Sequence, residues 1–302
     1  MKIFISTSSF GQLNDYNELF KKNELEVKTN PYGRKLKPEE LLEFTKGCIG
    51  LIAGTELITE NLLLKLPSLK VISRCGVGID NIDLEAAKRL GIKVFVTQDA
   101  PVIAVAELTV GLMLNLLRKV NQMDMKIRSG KWDKMMGNLL YGKQVGIIGL
   151  GRIGRKVAKL LKPFNCKLTY SDPFVKDRLL GLKRLPLKEL LGWADIVSIH
   201  ASTQDKILNS KGLRNMKKGA WLINVSRGQI VDEKALYKVL KEGYLSGAAL
   251  DVFTTEPYMK GKFTELDNVI LTPHIGSYAK EARAEMERQA VENLLRGLGV
   301  LK

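Results

Sequence analysis

The sequence Gln144-Val-Gly-Ile-Ile-Gly-Leu-Gly-Arg-Ile-Gly154 decides the fold of this chain. It begins with an apolar run typical of a buried strand, and Gly149, Gly151 and Gly154 follow at the spacing G-x-G-x-x-G. A helical pattern of apolar residues then continues to Pro163. In such a unit the first glycine permits the tight turn, the second lets a pyrophosphate approach the backbone, and the third lets the helix pack on the strand. The stretch therefore predicts a dinucleotide-binding turn with phosphates at a helix N-terminus.

A second strand pattern, Cys166–Ser171, strengthens this interpretation because it ends in an acid, Asp172. The acid follows the first glycine by about 20 residues, the offset at which a carboxylate reaches the ribose hydroxyls of a bound dinucleotide. A carboxylate there would repel the additional phosphate of NADP. We therefore predict NAD as the cofactor.

Composition indicates a globular chain of 302 residues, 45% hydrophobic and 26% charged, which is long enough for two domains. No apolar run approaches the ~20 residues of a membrane helix, and the N-terminus does not resemble a signal peptide. Three cysteines, Cys48, Cys75 and Cys166, lack metal-binding spacing, so we expect a reduced cytoplasmic protein without a metal site or a membrane partner.

The formal net charge of +16 has three possible explanations. It can reflect a lysine-rich solvated surface, electrostatic steering of an anionic substrate, or a nucleic-acid partner. Because the lysines are spread along the chain without an aromatic-interleaved basic block, we favour the surface interpretation and expect no nucleic-acid partner.

Strand and helix patterns alternate in two series and predict an α/β protein with two doubly wound parallel sheets. The first series has the strand candidates Lys2–Ser6, Glu26–Thr29, Gly50–Ala53, Lys70–Ser73 and Lys93–Val96. A single long helix is predicted from Ile103 to about Ser129. The second series has the strand candidates Val145–Ile148, Lys167–Ser171, Ile196–Ile199, Trp221–Val225, Gly247–Val252 and Val269–Leu271.

The final helix pattern, from Tyr278 to about Leu295, has no strand left to cover in the second series, so we expect it to return to the first. We therefore predict a discontinuous, flavodoxin-like substrate domain formed by residues 1–98 and 276–302. A dinucleotide-binding domain would comprise residues 99–275.

Reactive side chains follow three predicted strands of the second series. Arg227 follows Trp221–Val225, Glu256 follows Gly247–Val252, and His274 follows Val269–Leu271. Ligands of open parallel sheets bind at the carboxyl ends of the strands, so these side chains are expected to share one edge. An arginine that binds a carboxylate, a histidine that moves a proton and a glutamate that supports the imidazolium suit hydride transfer on a 2-hydroxy or 2-oxo acid.

Only one other histidine, His200, competes for the role of proton carrier. It follows the strand pattern Ile196–Ile199 directly and can simply cap a strand end. We favour His274, which has an acid available from the preceding loop.

Five segments resemble the D-2-hydroxyacid dehydrogenase family, and the resemblance covers essentially the whole chain. They are Ser73-Arg-Cys-Gly-Val-Gly-Ile-Asp-Asn-Ile-Asp83, the turn Gly149–Gly154 with Asp172, Asn224-Val-Ser-Arg-Gly228, Asp251-Val-Phe-Thr-Thr-Glu-Pro257, and Thr272-Pro-His-Ile-Gly276. The resemblance implies an NAD-dependent enzyme that acts on a small D-2-hydroxy acid.

The resemblance also implies roles for individual residues. Catalysis would involve Arg227 as substrate clamp, His274 as acid–base and Glu256 as its partner. The implied cofactor-binding residues are Gly149, Gly151, Arg152, Ile153, Gly154, Asp172, Val225, Ser226, Asp251 and Gly276, with Asp251 near the nicotinamide carboxamide. The implied substrate-binding residues are Arg74, Gly76, Val77, Gly78 and Lys134, with the backbone N–H groups of Val77 and Gly78 on the substrate carboxylate.

Within the family the chain is most similar to D-3-phosphoglycerate dehydrogenases, which makes 3-phosphoglycerate the first substrate candidate and serine biosynthesis the expected pathway. Trp132-Asp-Lys134 resembles a segment that some members contribute to the neighbouring subunit's site, and we expect a homodimer. Three features differ from the pattern. Pro101 stands where an asparagine is common, Ala53 where some members have a phosphate-binding arginine, and the loop after His200 lacks the usual proline.

Two alternatives to a phosphoglycerate dehydrogenase remain open. One is a glyoxylate or hydroxypyruvate reductase, which the same catalytic residues would serve. The other is a corepressor-like binding protein that uses NAD as a sensor. We expect no regulatory domain of the serine-sensing type after the final helix.

Overall fold

The chain divides into two compact units in a computed structural model that describes residues 1–8, 10–175 and 179–300. The first unit comprises Met1–Pro101 and Ser277–Lys302, and the second comprises Val102–Gly276. The first unit is thus discontinuous, because the end of the chain joins the fold of its beginning.

The strands and helices alternate along the chain as the sequence patterns predict. The strands are β1 Lys2–Ile5, β2 Glu26–Thr29, β3 Gly50–Ala53, β4 Val71–Arg74, β5 Lys93–Val96, β6 Gln144–Ile148, β7 Lys167–Ser171, β8 Lys183–Arg184, β9 Ile196–Ile199, β10 Trp221–Asn224, β11 Gly247–Leu250 and β12 Val269–Leu271. The α-helices are α1 Asn17–Lys22, α2 Pro38–Thr45, α3 Glu60–Leu64, α4 Leu84–Arg89, α5 Val102–Arg118, α6 Val120–Arg128, α7 Arg152–Leu161, α8 Leu187–Trp193, α9 Ser210–Asn215, α10 Glu233–Lys241 and α11 Lys280–Leu298.

The first unit contains, within the described residues, a five-stranded sheet in the order β2-β1-β3-β4-β5, with parallel strands throughout. Because successive side chains of a strand point to opposite faces, each central strand supplies two cores. Phe4, Leu51 and Ile72 pack with α2, α3 and α4 on one face. Ile3 and Ile52 pack with α1 and α11 on the other. Helix α11 therefore completes the core that the first 101 residues begin.

The second unit contains, within the same described ranges, a seven-stranded parallel sheet in the order β12-β11-β10-β9-β6-β7-β8. The strand order reverses between β6 and β9, which is the position where doubly wound sheets bind their ligands. Val145 and Ile223 pack with α5 and α7 on one face, and Leu222 and Ala248 pack with α8, α9 and α10 on the other. The prediction of two doubly wound parallel sheets is confirmed.

Two details of the second unit differ from the prediction. The single helix expected from Ile103 to Ser129 is wrong, because Lys119 takes a left-handed φ of 56° and separates α5 from α6. The side chain of Asn115 accepts a hydrogen bond from Asn121 N (3.0 Å) at this break. A seventh strand, β8, was missed because its two residues, Lys183 and Arg184, are exposed and charged and show no apolar pattern.

In the part of the chain that the structure describes, no helix combines the length and the hydropathy that crossing a membrane requires.

Candidate active site

The glycine-rich turn joins β6 to α7, and the surroundings of its three glycines differ. Gly149 has φ 89°, and a Cβ on it would lie 2.6 Å from Ala201 N, so the turn touches the residues that follow β9. A Cβ on Gly154 would lie 2.2 Å from the carbonyl oxygen of Gly149, so the helix packs directly on the turn. Gly151, the N-cap of α7, has nothing within 4 Å of its Cβ position. The turn thus leaves open space at a helix N-terminus whose N–H groups suit a phosphate.

Asp172 follows β7 and holds this turn in place. Its Oδ2 accepts a hydrogen bond from Leu150 N (2.8 Å), inside the glycine motif. Its Oδ1 accepts from Phe174 N (2.8 Å) and Val175 N (3.1 Å). The sequence predicts a ribose-binding role for this carboxylate, and the structure shows a contact that the sequence did not predict, with the backbone of the turn.

The predicted cofactor-binding residues near this turn lie at the ends of two strands. Arg152 and Ile153 form the first turn of α7, and Val225 and Ser226 directly follow β10. The side chain of Asn224, the last residue of β10, accepts from Ser226 N (3.1 Å) and Ser226 Oγ (2.9 Å). Sequence analysis assigned Asn224 no role. A buried polar residue at the end of an otherwise apolar strand is the signal that would have found it.

Arg227 lies in the same loop, which Asn224 also supports by donating through Nδ2 to Arg227 O (3.0 Å). The Arg227 guanidinium donates through Nη1 to Ser226 O (2.8 Å). The next residue, Gly228, lies so close to the segment after β11 that a Cβ on it would be 1.9 Å from the Phe253 carbonyl carbon. This close approach brings the arginine loop against the segment that carries Glu256.

Glu256 and His274 form an ion pair at the carboxyl edge of the sheet, with 36% and 50% of their side chains exposed. His274 Nδ1 lies 2.8 Å from Glu256 Oε2, and since a carboxylate only accepts, Nδ1 carries the hydrogen. Glu256 Oε1 accepts from Phe253 N (3.0 Å), which fixes the carboxylate. Burial by itself would raise the pKa of Glu256, but the hydrogen bond and the charge of His274 outweigh it and lower the pKa. Glu256 is therefore ionised at neutral pH.

Asp251 positions the loop that carries His274. Its carboxylate is 1% exposed and accepts from Thr272 Oγ1 (2.6 Å), Ile275 N (2.8 Å) and Gly276 N (2.9 Å). Burial raises the pKa of Asp251, even though these hydrogen bonds oppose the shift. Between its anchored neighbours His274 takes φ 53°, a left-handed conformation that residues other than glycine rarely adopt. The anchored loop thus stabilises a backbone conformation that an isolated peptide would disfavour.

His200 stands at the carboxyl end of β9 and has a different environment. Its Nε2 lies 2.8 Å from Ser198 Oγ, and its buried Nδ1 contacts no hydrogen-bonding group among the residues described. Burial lowers the pKa of His200 to about 3, so the ring is neutral at physiological pH. The described contacts of His200 thus differ from those of His274, since the ring pairs with the hydroxyl of Ser198 and not with a carboxylate.

In the first unit, the predicted substrate-binding residues form the loop after β4. Arg74 donates through Nε to Gly78 O (3.2 Å) and through Nη1 to Cys75 O. Gly76 has φ 152°, and a Cβ on it would lie 2.6 Å from Arg74 Nη1. The Arg74 guanidinium thus braces the carbonyl groups of this loop, while Val77 is exposed at its tip. Sequence analysis assigned Arg74 to the substrate and did not anticipate this bracing.

Lys134 lies in the irregular segment that follows α6 and is exposed. Its neighbours Trp132 and Met136 are exposed as well, Trp132 by 81%.

Comparison with known proteins connects this geometry to a family. Residues 110–276 match the domain model described as D-isomer specific 2-hydroxyacid dehydrogenase, NAD binding domain. The match covers more than half of the chain and contains the glycine turn, Arg227, Glu256 and His274. The chain belongs to the D-isomer specific 2-hydroxyacid dehydrogenase family. The resemblance inferred from the sequence motifs is thereby confirmed. The second unit of the chain contains the family's NAD-binding domain.

The relatives that this chain resembles include proteins named for different activities. A D-3-phosphoglycerate dehydrogenase of Methanocaldococcus jannaschii is 41% identical over 91% of this chain and 54% of its own length. A glyoxylate reductase of Pyrococcus furiosus is 38% identical over 90% of this chain and 86% of its own length. The crystal structure of the TT0316 protein from Thermus thermophilus has a TM-score of 0.93 and 36% identity, covering 100% of this chain and 98% of that one. The chain spans about half the length of the phosphoglycerate dehydrogenases that it matches.

Proposed function

We propose that this protein is an NAD-dependent dehydrogenase that interconverts a small D-2-hydroxy acid and its 2-oxo acid. The observation that carries the proposal is the His274–Glu256 ion pair, with Nδ1 and Oε2 2.8 Å apart, beside the Arg227 loop. The pair lies at the carboxyl edge of a sheet whose first strand ends in a dinucleotide-binding turn. An acid–base group, a carboxylate-binding cation and a cofactor turn are the parts that such a reaction needs.

The chain's own residues would manage the proton and the substrate orientation. When bound, the nicotinamide supplies or accepts the hydride. The Nδ1–H bond to Glu256 leaves His274 Nε2 to deliver a proton to the C2 oxygen during reduction and to remove one during oxidation. Glu256 stabilises the imidazolium, and Arg227 binds the substrate carboxylate with paired N–H donors.

The residues that would hold the cofactor are those of the glycine turn, Asp172 and the loop after β10. Asp172 motivates a preference for NAD over NADP, because its carboxylate would repel a 2′-phosphate. Replacement of Asp172 by alanine is expected to reduce the NAD/NADP ratio of kcat/KM, since a charged hydrogen-bond partner contributes about 1.5–3 kcal/mol. Equal use of NADP by the unaltered protein would contradict this assignment.

Two substrates are candidates, and each has a supporting observation. D-3-phosphoglycerate, with a place in serine biosynthesis, rests on the resemblance and on the 41% identical relative. Glyoxylate or hydroxypyruvate rests on the reductase of which this chain covers 86%, and on Ala53 at a position where some members have a phosphate-binding arginine. In either case the resemblance implies that the N–H groups of Val77 and Gly78, in loop 76–78, also contact the substrate carboxylate.

We further propose a cytoplasmic homodimer, in which the exposed segment around Trp132 and Lys134 contributes to the neighbouring subunit's site. Light scattering at micromolar concentration tests the dimer, and Lys134→Ala tests the contribution through KM. A monomer with full activity would contradict both statements.

A panel of 2-oxo acids, monitored by NADH absorbance, tests the reaction itself. The panel contains glyoxylate, hydroxypyruvate and 3-phosphohydroxypyruvate, and the reverse reaction is measured with the matching D- and L-hydroxy acids. NADH-dependent reduction with D-specific reversal is expected. Binding of NADH without turnover of any acid would favour the corepressor-like alternative.

A further inference from the structure

The carboxyl edge of the first unit's sheet contains a carboxylate that the proposed reaction does not use. Glu56 follows β3 and is 3% exposed. Its Oε2 accepts hydrogen bonds from Ser6 Oγ (2.8 Å) and Gly54 N (2.9 Å), which lie directly after β1 and β3. The glutamate side chain thus folds back onto the ends of two neighbouring strands.

The fold-back is specified by the local sequence. A Cβ on Gly54 would lie 2.8 Å from Glu56 Oε2, so a larger residue at this position would require the carboxylate to shift. Ser6 Oγ bridges the same groups, because it also accepts from Gly54 N (3.1 Å). The carboxylate, the hydroxyl and the backbone N–H therefore form one closed hydrogen-bonded arrangement.

This arrangement is connected to the loop that we propose binds the substrate. Asn81, three residues after Gly78, donates through Nδ2 to the carbonyl oxygens of Glu56 (2.6 Å) and Gly54 (3.4 Å). Ala53 and Arg74 are paired neighbours at the ends of β3 and β4. The segment 54–56 and the loop 76–78 are therefore adjacent parts of the same sheet edge.

Backbone N–H groups and hydroxyls at the carboxyl ends of parallel strands are suitable donors for an anionic ligand group. Here Glu56 supplies an anion from the chain itself to the donors of Ser6 and Gly54. This carboxylate lies on the same sheet edge as loop 76–78, to which Asn81 and the paired ends of β3 and β4 connect it. A second anionic group on the substrate would find these donors engaged and would be repelled by the carboxylate.

Resting on the proposed function, we infer that Glu56 is a specificity-determining residue that excludes phosphorylated substrates. The substrates it admits are small 2-oxo acids whose only anionic group is the carboxylate next to the reacting C2 carbonyl. This inference favours an unphosphorylated 2-oxo acid over 3-phosphohydroxypyruvate as the physiological substrate.

The test compares kcat/KM for hydroxypyruvate and 3-phosphohydroxypyruvate, which differ only in the phosphate, in the unaltered protein and in Glu56→Gln. We expect the unaltered protein to prefer hydroxypyruvate by at least about 10-fold, as one like-charge contact of low exposure would produce. Glu56→Gln retains the shape of the side chain and removes its negative charge. It should lower the ratio of kcat/KM for hydroxypyruvate to that for 3-phosphohydroxypyruvate by about 10-fold, mainly by raising kcat/KM for the phosphorylated acid.

A matched control is Glu60→Gln, which removes the same charge four residues later. Glu60 is exposed and pairs with Arg89, so its replacement should leave the preference unchanged. Thermal unfolding and NADH binding establish that each variant is folded, and the preference of the unaltered protein tests the inference without any variant.

An unaltered protein that reduces the phosphorylated acid as well as hydroxypyruvate would overturn this inference and leave the proposed function standing. An equal change for both acids in Glu56→Gln, or the same narrowing in Glu60→Gln, would also overturn it. A protein that reduces no 2-oxo acid would overturn the proposed function, and this inference with it.

Discussion

The two histidines of this chain both stand at or just beyond the carboxyl ends of strands in one sheet, yet their surroundings make them chemically different. His274, after β12, is half exposed and donates to an ionised glutamate. His200, after β9, has a buried Nδ1 and a pKa lowered to about 3 by burial. The same imidazole thus has a carboxylate partner in one place and a buried ring nitrogen in the other. The environment of a histidine, in addition to its residue type, therefore decides how well it is suited to acid–base chemistry.

The largest expected effect is that of His274→Ala. Removal of the proton carrier should lower kcat by on the order of 10²–10⁴-fold, as for other general acid–base groups. Steady-state kinetics with NADH and the best acid of the panel measure it. The matched control is His200→Asn, which removes an imidazole from the same sheet edge and should leave kcat within about threefold. Near-normal turnover by His274→Ala would direct attention to His200.

Arg227→Ala should be the next most damaging change. The loss of a paired, charge-assisted contact with the substrate carboxylate, worth about 1.5–3 kcal/mol, corresponds to about 10–150-fold in kcat/KM. We expect an increase in KM together with a decrease in kcat. Arg227→Lys keeps the charge without the planar fork and should recover only part of the activity. An unchanged KM in Arg227→Ala would contradict the proposal that Arg227 binds the substrate carboxylate.

Glu256→Gln should have a smaller effect on rate and a distinct effect on pH dependence. Loss of the charge-assisted bond should lower kcat by on the order of 10-fold. The pKa of Glu256 is lowered, so the ion pair remains as pH falls to about the usual carboxyl value of 4.3 and is lost below it. Glutamine does not ionise, so the loss of activity that accompanies protonation of Glu256 at low pH should be absent from the pH–rate profile of the variant. Identical pH–rate profiles would contradict the assigned role.

Replacement of His200 should have the smallest effect on turnover. It should instead change how the stability of the fold depends on pH, which distinguishes His200 from His274. Its pKa in the folded chain is about 3, below the value of about 6.5 in the unfolded chain. The unfolded state therefore binds more protons between these values, so stability is complete above about pH 6.5 and decreases as pH falls towards 3. This single group changes the free energy of unfolding by up to about 1.4 kcal/mol per pH unit. The free energy of unfolding, measured with urea at pH 4, 5, 6 and 7, should depend less steeply on pH in His200→Asn than in the unaltered protein. An equal dependence on pH would contradict the buried neutral state of His200.

Much of the fold could be predicted, and the residues of the candidate site could be proposed, because their signals are local. The spacing Gly149-x-Gly151-x-x-Gly154 after an apolar strand specifies a turn whose geometry depends on residues close in sequence. Alternating strand and helix patterns specify parallel sheets, and the ends of parallel strands share one edge. Arg227, Glu256 and His274 were recognisable because each follows a strand.

Other features depend on residues that meet only after folding. No local pattern shows that Asp251 anchors the His274 loop through Thr272, or that Asp172 fixes the glycine turn. The break at Lys119 and the bracing of loop 76–78 by Arg74 depend likewise on side chain to backbone contacts. Residue types and their order therefore determine which chemistry is available. Tertiary structure decides the environment of each group, because burial and hydrogen-bond partners come from segments distant in sequence. It is the reason that, among the residues the structure describes, His274 pairs with a carboxylate and His200 pairs with a hydroxyl.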